Sequence, residues 1–275
     1  MKASRFSYAR PSSLDEALAL MADEAAEPMA LAGGQSLMPM MNFRVARPGV
    51  LVDLNRIDGL SGIETTDTGV RIGAMTRYSD LAASDVVADK LPLVAAALPH
   101  IAHAAIRNRG TIGGSLALAD PAAELPAVAL ALGATLHLVS QSGTRDVAAD
   151  DFFLGAYDTA LDDCELIAAV TFPGAGQGDR SGFHEIVRRH GDYAMAGVVV
   201  ATTGGTPRVA FFAVGDGAMR HPPAEDALGP DLSGIDAAVA TLADLDVAGD
   251  LNGDEATKRH LAGVALRRAV AEALA

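Results

Sequence analysis

Two short glycine-rich stretches organise this sequence, and they read Ala32-Gly33-Gly34-Gln35-Ser36 and Thr111-Ile112-Gly113-Gly114-Ser115. We call them the first glycine segment (residues 32–36) and the second glycine segment (residues 111–115). Because glycine has no Cβ, backbone N–H groups in such turns can approach a bound anion closely. The pattern predicts two turns that cradle an anion, although a pair of glycines taken alone is also consistent with an ordinary tight turn.

Short strands and helices alternate around the two segments, which predicts an α+β fold. Strands are predicted at Met29–Ala32, Val50–Leu54, Gly62–Glu64, Gly69–Gly73, Ala134–Ser140 and Glu165–Phe172. Ser13 and Glu16 form a capping-box pattern before a first helix. A second helical stretch is predicted from roughly Tyr78 to His103. A third is predicted from an Asp120 N-cap and Pro121 to Leu132, with Gly133 as its C-terminal stop.

A turn-rich stretch, residues 174–179, is the best internal boundary. It divides the chain into two predicted domains, residues 1–175 and residues 179–275. After it the sequence predicts three consecutive strands and then helices from about Pro223. The strands are Gly182–Arg188, Ala194–Thr203 and Arg208–Val214.

The composition excludes several classes of protein. The net charge of −14 over 275 residues argues against a nucleic-acid binder, which needs a basic surface. No apolar run reaches the length of a membrane span, and the N-terminus lacks the apolar core of a signal peptide, so we expect a cytoplasmic protein. Cys164 is the sole cysteine, and common iron–sulfur clusters need about four thiolates, so none is expected in this chain.

Three other patterns have plainer explanations. Residues 174–178 contain alternating glycines, but their spacing differs from that of a dinucleotide-binding fingerprint. His100 and His103 could share a helical face, but further metal ligands are not evident nearby. Asp120 and Glu124 could be paired carboxylates, although an N-cap and a first-turn acid explain them equally simply. We therefore predict no catalytic acid or base and no metal site in this chain.

Several segments together give the sequence a resemblance to a known family. It resembles the FAD-binding medium subunits of molybdenum hydroxylases, the family of carbon monoxide dehydrogenase and the xanthine dehydrogenase relatives. The matching segments are residues 31–39, 53–54, 72–74, 106–115, 119–126 and 191–194.

The resemblance implies a vanillyl-alcohol-oxidase-type (PCMH) FAD-binding domain of two α+β subdomains in residues 1–175. A C-terminal three-stranded sheet with a helical bundle would follow. The FAD pyrophosphate would lie between the two glycine segments, and Tyr193 would fall near the flavin ring. The residues expected to contact FAD are Ala32, Gly33, Gly34, Gln35, Ser36, Leu37, Thr111, Ile112, Gly113, Gly114, Ser115, Glu124, Ile167 and Tyr193.

Three positions depart from the family pattern. Gln35 stands where some members have His, Ser115 replaces a frequent Asn, and Glu185 stands where a Lys is often found. The loss of a Lys near the flavin affects the expected redox potential and electron acceptor, but not FAD binding. On the same resemblance, a Gly114→Asp substitution is expected to abolish FAD binding.

The resemblance also implies a role and partners. The FAD would accept electrons from the [2Fe-2S] clusters of a small subunit and pass them to an external acceptor. A large subunit with a molybdenum cofactor would act on the substrate, in a dimer of heterotrimers. Two alternatives stay open from the residues alone: a stand-alone FAD-dependent oxidase, and a cofactor-free interaction subunit.

Overall fold

The computed structural model describes residues 2–275 of the chain. The strands are β1 (Ser7–Ala9), β2 (Pro28–Leu31), β3 (Val50–Asp53), β4 (Ile63–Thr66), β5 (Gly69–Gly73), β6 (Thr135–Ser140), β7 (Gly143–Ala148), β8 (Phe153–Gly155), β9 (Asp158–Thr159), β10 (Leu166–Pro173), β11 (Ser181–Ile186), β12 (Ala196–Thr203), β13 (Thr206–Phe212) and β14 (Met219–Arg220). The helices are α1 (Leu14–Met21), α2 (Leu37–Asn42), α3 (Tyr78–Ala82), α4 (Asp85–Lys90), α5 (Pro92–Ala97), α6 (Ala104–Arg107), α7 (Ile112–Leu118), α8 (Glu124–Leu132), α9 (Ala149–Phe152), α10 (Pro222–Leu228), α11 (Ile235–Ala240) and α12 (Glu255–Leu274). Within residues 2–275, no helix has the length and apolar character needed to cross a membrane.

Three larger sheets follow one another along the chain. The first is parallel, with the strand order β1-β3-β2. The second is antiparallel, with the order β4-β5-β10-β6-β7. The third is antiparallel, with the order β11-β12-β13-β14, and β8 pairs with β9 in a small hairpin. Separate parallel and antiparallel sheets with interspersed helices confirm the predicted α+β class.

The third sheet is buried on both faces, and alternate residues of β12 show this directly. Val199 and Ala201 belong to the large core that also contains apolar residues of α5 and α8. Val198 and Val200 face the opposite way and pack with α10, α11 and α12. The three strands predicted here are present, and β14 adds a two-residue edge strand. The sheet therefore supports α8 from behind.

The predicted helical stretch from Tyr78 to His103 is helical over most of its length but is not one helix, because the chain breaks into α3, α4, α5 and a turn of 3-10 helix at Leu98–His100. The Ser84 side chain accepts a hydrogen bond from the Val87 N–H and starts α4. Pro92 lies at the start of α5, where its missing N–H is tolerated but where it cannot continue the preceding helix. Apolar periodicity alone does not register these breaks.

The start of α8 also differs from the prediction. Asp120 Oδ1 accepts a hydrogen bond from the Ala122 N–H at 2.9 Å, so Asp120 closes a local turn instead of capping the helix. The helix begins later, at Glu124. Its end is confirmed at Gly133, which adopts a φ of 64°.

The first helix keeps its predicted cap. The Ser13 hydroxyl accepts a hydrogen bond from the Glu16 N–H at 3.2 Å. The Glu16 carboxylate accepts from the N–H of Ser12 at 2.8 Å, one residue before the position expected for a capping box. The predicted helix start at Leu14 is confirmed.

Candidate functional site

A cleft of about 800 Å³ lies beside the two glycine segments. This volume lies in the upper part of the range for small-molecule and cofactor sites. The cleft brings together sequence-predicted site residues that are far apart in the chain. Those that line it are Ala32, Gly33, Gly34, Gln35, Ser36, Leu37, Thr111, Gly113, Gly114, Ser115, Glu124, Ile167 and Tyr193. Ile112 does not line it, because its side chain is fully buried in the large core.

The first glycine segment forms a turn between β2 and α2. Gly34 adopts a φ of 72°, a left-handed conformation that side chains other than glycine disfavour. Within residues 2–275, the N–H groups of Gly33, Gly34, Gln35 and Ser36 donate to no protein acceptor. Four consecutive free donors at a helix start form a site ready for an anion.

Most carbonyl groups of the same turn are already occupied. Gly34 O accepts from the Met38 N–H, and Ser36 O accepts from the Met40 N–H. The Gln35 side chain donates to Gly33 O at 3.0 Å. The turn thus uses most of its acceptors internally and lines the cleft with residues whose N–H donors are free. Gln35, one of the departures from the family pattern, has this structural contact of its own.

The second glycine segment is the start of α7, so its interpretation as a turn is wrong. Thr111 is the N-cap, and its Oγ1 accepts from the Gly114 N–H at 3.2 Å. The other N–H groups also have protein acceptors: Ile112 donates to Thr76 O, Gly113 to Ala74 O and Ser115 to Thr111 O. This segment therefore contributes surface and hydroxyl groups to the cleft, but few free backbone donors.

The glycines also allow backbone segments to approach one another. A Cβ on Gly33 would lie 2.3 Å from Arg109 O, and a Cβ on Gly113 would lie 2.4 Å from the Ala74 Cβ. Real Cβ atoms do not come this close to other atoms. Gly33 therefore packs directly against the chain that leads into the second glycine segment, and Gly113 packs on the end of β5. Glycine is therefore required at Gly33 and Gly113 partly because other segments of the protein pack directly against their backbones.

Charged residues of the cleft are unfavourable to an anion. Among the described residues that line it there is no Lys or Arg. The acidic lining residues are Asp120, Glu124, Asp162, Asp163, Glu165 and Asp192. A bound pyrophosphate would therefore depend on oriented N–H groups and hydroxyls, and the free donors of the first glycine segment supply them.

Glu124 and Glu165 are the two buried acids of this lining, and Glu124 is the first residue of α8. Burial raises the pKa of its carboxyl to about 7, and the nearby Glu185 charge acts in the same direction. Its own backbone N–H lowers the pKa by a smaller amount, as does His100. Glu124 thus changes its protonation near neutral pH, inside the cleft.

Glu185, which stands where the family often has a Lys, is paired with a histidine. Its Oε1 lies 3.0 Å from His100 Nδ1, and this hydrogen bond raises the pKa of His100. The second oxygen, Oε2, has no hydrogen-bond partner within residues 2–275. His100 is therefore engaged with a carboxylate, while His103 lines the cleft. No group of three metal-ligating side chains occurs in the described part of the chain.

Three polar residues, two behind the cleft and one in its wall, were not singled out by the sequence. Asn55 and Arg77 hydrogen-bond to the backbone next to the glycine segments, and Tyr78 is buried at the cleft wall. Burial raises the pKa of the Tyr78 hydroxyl, while a hydrogen bond with Ser115 acts in the opposite direction. In the sequence, these three residues lie close to the matching segments 53–54 and 72–74, which is a weak indication of a role at the site. No rule of residue spacing connects the three residues with one another.

Comparison with known proteins places this geometry among cofactor-binding subunits. Residues 4–175 match the family described as FAD binding domain in molybdopterin dehydrogenase. The chain is 39% identical to the 6-hydroxypseudooxynicotine dehydrogenase complex subunit alpha of Paenarthrobacter nicotinovorans, over 100% of this chain and 96% of that protein. It is also 39% identical to the carbon monoxide dehydrogenase medium chain of Hydrogenophaga pseudoflava, over 97% of this chain and 96% of that one.

A solved structure agrees with these sequence matches. Carbon monoxide dehydrogenase of Hydrogenophaga pseudoflava, in a form lacking the Mo-pyranopterin moiety of its cofactor, contains a chain that superposes with a TM-score of 0.94. The two are 40% identical, and the match covers 99% of this chain and 98% of that chain. The likeness therefore extends over the whole chain, beyond residues 4–175.

Proposed function

Because this chain belongs to the family of FAD-binding domains in molybdopterin dehydrogenases, we propose that it is the FAD-carrying electron-transfer subunit of a heterotrimeric molybdenum hydroxylase. It is an FAD-binding medium subunit of an oxidoreductase complex. Its FAD accepts electrons from the [2Fe-2S] clusters of a small subunit and passes them to an external acceptor. A large subunit with the molybdenum cofactor carries out the hydroxylation.

The observation that carries this proposal is the donor set of the first glycine segment. Four free N–H groups, from Gly33 to Ser36, face a cleft large enough for a dinucleotide. A pyrophosphate carries about two negative charges and suits such oriented donors better than an uncharged ligand would. Since the charged residues that line the cleft are all acidic, these donors are the main groups in it that favour an anion.

The residues of this chain act by binding and orienting the cofactor. FAD, when bound, supplies the redox chemistry through its flavin ring. The first glycine segment holds the pyrophosphate, and Thr111 and Ser115 present hydroxyl groups from the opposite segment. Tyr193, which is 69% exposed, stands at the cleft where the flavin ring is expected. Glu124 and Ile167 complete the proposed contacts.

The proposed distribution of redox cofactors among the subunits agrees with the sequence. The chain has Cys164 as its sole cysteine, so it lacks the ligands for an iron–sulfur cluster of its own. On this proposal, the electrons arrive from a partner chain. Residues 1–175 form the proposed FAD domain and residues 179–275 the C-terminal domain, within a dimer of heterotrimers in the cytoplasm.

The direct test is the flavin content of the purified 275-residue chain. Denaturation is expected to release FAD into the supernatant, where chromatography identifies it. A folded preparation that neither carries nor takes up FAD contradicts the proposal and favours a cofactor-free interaction subunit. Flavin that stays with the acid-precipitated protein indicates a covalent link and favours a stand-alone oxidase.

A further inference from the structure

Two side chains outside the cleft, Asn55 and Arg77, connect the backbone of the first glycine segment to the backbone just before the second. We infer that they are positioning residues, which hold the segments at the separation that FAD requires. This inference rests on the proposed function, since it concerns the same cofactor site. Neither residue lines the cleft among the described residues, so we expect neither to contact FAD directly.

Asn55 fixes the first glycine segment. It lies in the turn of 3-10 helix Leu54–Arg56 that follows β3. Its Nδ2 donates to Ala32 O at 2.9 Å and to Asp53 Oδ1. The carbonyl of Ala32 immediately precedes Gly33, where the run of free N–H groups begins. The Asn55 amide therefore sets the direction in which the turn leaves β2.

Arg77 fixes the chain before the second glycine segment. Its guanidinium donates through Nη1 to Arg109 O and through Nη2 to Asn55 Oδ1. Its backbone forms an isolated antiparallel bridge with Thr111. Arg109 O is also the atom that a Cβ on Gly33 would approach most closely. The guanidinium thus holds the carbonyl against which the first glycine segment packs.

The orientation of the Asn55 amide is determined by its neighbours. Both contacts of its nitrogen are acceptors, and the contact of its oxygen is the Arg77 donor. Burial opposes ionisation of Asp53, but hydrogen bonds from Tyr8 and Asn55 hold the pKa of its carboxyl below the ordinary value. Asp53 therefore stays an acceptor at neutral pH, and a flipped amide would face like groups on both sides.

These contacts form one continuous connection. It runs from Ala32 O through Asn55 and Arg77 to Arg109 O, and Asp53 anchors it to the end of β3. Each bond joins a side chain to a backbone carbonyl or to the next side chain. Because these hydrogen bonds form a single series, removal of either Asn55 or Arg77 interrupts the whole connection.

The test measures FAD affinity in Asn55→Ala, Arg77→Met and the double variant. The full chain is stripped of flavin and titrated with FAD by flavin fluorescence. Each single substitution is expected to weaken binding at least tenfold. The double variant should be no more than about twofold weaker than the weaker single variant, because the two residues belong to one connection.

Arg208→Met is the matched control. Arg208 also joins backbone and carboxylate, donating to Leu130 O at 2.7 Å and to Asp150 at 2.7 Å, but it lies away from the glycine segments. This variant is expected to lower the melting temperature while leaving FAD affinity within twofold of wild type. A purely structural role for Asn55 and Arg77 would make all three variants behave alike.

Milder substitutions keep the test decisive if the first variants do not fold. Arg77→Lys can keep one donor to Arg109 O, so an intermediate affinity is expected. Asn55→Asp keeps the acceptor for Arg77 but loses the donor to Ala32 O, so its affinity should fall as in Asn55→Ala. FAD affinity within twofold of wild type in any folded Asn55 variant or in folded Arg77→Met overturns the inference. Wild-type protein that binds no FAD would instead contradict the proposed function.

Discussion

The two glycine segments have similar residues but different backbone chemistry. In the first, the N–H groups of Gly33 to Ser36 have no protein acceptor within residues 2–275. In the second, the N–H groups of Ile112 to Ser115 are all used, two of them by carbonyls at and just after the end of β5. Two adjacent glycines therefore do not by themselves make an anion site. The neighbouring carbonyls decide whether the donors remain free.

The largest effect is expected from a negative charge in the first segment. Gly34→Asp places a carboxylate beside the free donors, and two like charges about 5 Å apart cost about 3 kcal/mol at an effective dielectric constant of about 20. FAD affinity should therefore fall about 100-fold or more, as measured by fluorescence titration of the flavin-free chain.

Gly34→Ala is the control for this substitution. It introduces the same strain at a φ of 72°, but no charge. Its FAD affinity is expected to remain within about tenfold of wild type. If the alanine variant loses as much affinity as the aspartate variant, backbone geometry and not the donor set is the decisive feature.

A smaller effect is expected from Glu124, on the acidic lining of the same cleft. Its folded-state pKa of about 7 exceeds the ordinary value of 4.5, so the folded state binds the proton more tightly than the unfolded state. Its contribution to stability is thus fully present below pH 4.5 and is lost as the pH rises through about 7. Between pH 5 and pH 7.5 this loss amounts to about 2 kcal/mol.

Glu124→Gln isolates this contribution, because glutamine fills the same space and does not titrate. Chemical denaturation of the flavin-free chain at several pH values should show a weaker decline of stability for the variant than for the wild type. Parallel pH profiles for the two proteins would mean that Glu124 does not titrate in this range.

The smallest effect is expected from Gly114→Asp, in the second segment. The resemblance alone predicts that this change abolishes FAD binding. In the structure, the donors of this segment are already paired, and an aspartate in the first turn of α7 would be stabilised by the helix dipole. A Cβ there would lie 2.9 Å from Thr111 Oγ1 and 3.4 Å from the Ala32 Cβ. We therefore expect only about a tenfold loss of affinity.

Gly114→Ala separates the two contributions, since it adds the Cβ without the charge. Its affinity should lie within a few-fold of wild type in the same titration. If Gly114→Asp loses as much FAD affinity as Gly34→Asp, both segments bind the pyrophosphate equally. The distinction between the two segments would then fail.

Local sequence rules predicted much of the fold where neighbouring residues decide the conformation. Gly133 ends α8 because a left-handed residue is needed there, and Ser13 caps α1 through its own hydroxyl. The same rules did not locate the helix breaks between Tyr78 and His103, where apolar periodicity continues across Ser84 and Pro92. They also misplaced the start of α8, because Asp120 can close a turn as readily as it can cap a helix.

Some features of the candidate site could likewise be predicted from the sequence, and others could not. The sequence by itself determined the presence of glycine at two places where backbones pack closely, the absence of iron–sulfur ligands and, through the family resemblance, the cofactor. Only the tertiary structure decided which segment keeps free donors, because Ala74 and Thr76 reach the second segment from the end of β5. It also decided the roles of Asn55 and Arg77, since the hydrogen bonds to Ala32, to Arg109 and between the two residues each span more than 20 residues of the chain. Hydrogen bonds between such distant residues form only when the chain folds, and no local pattern in the sequence predicts them.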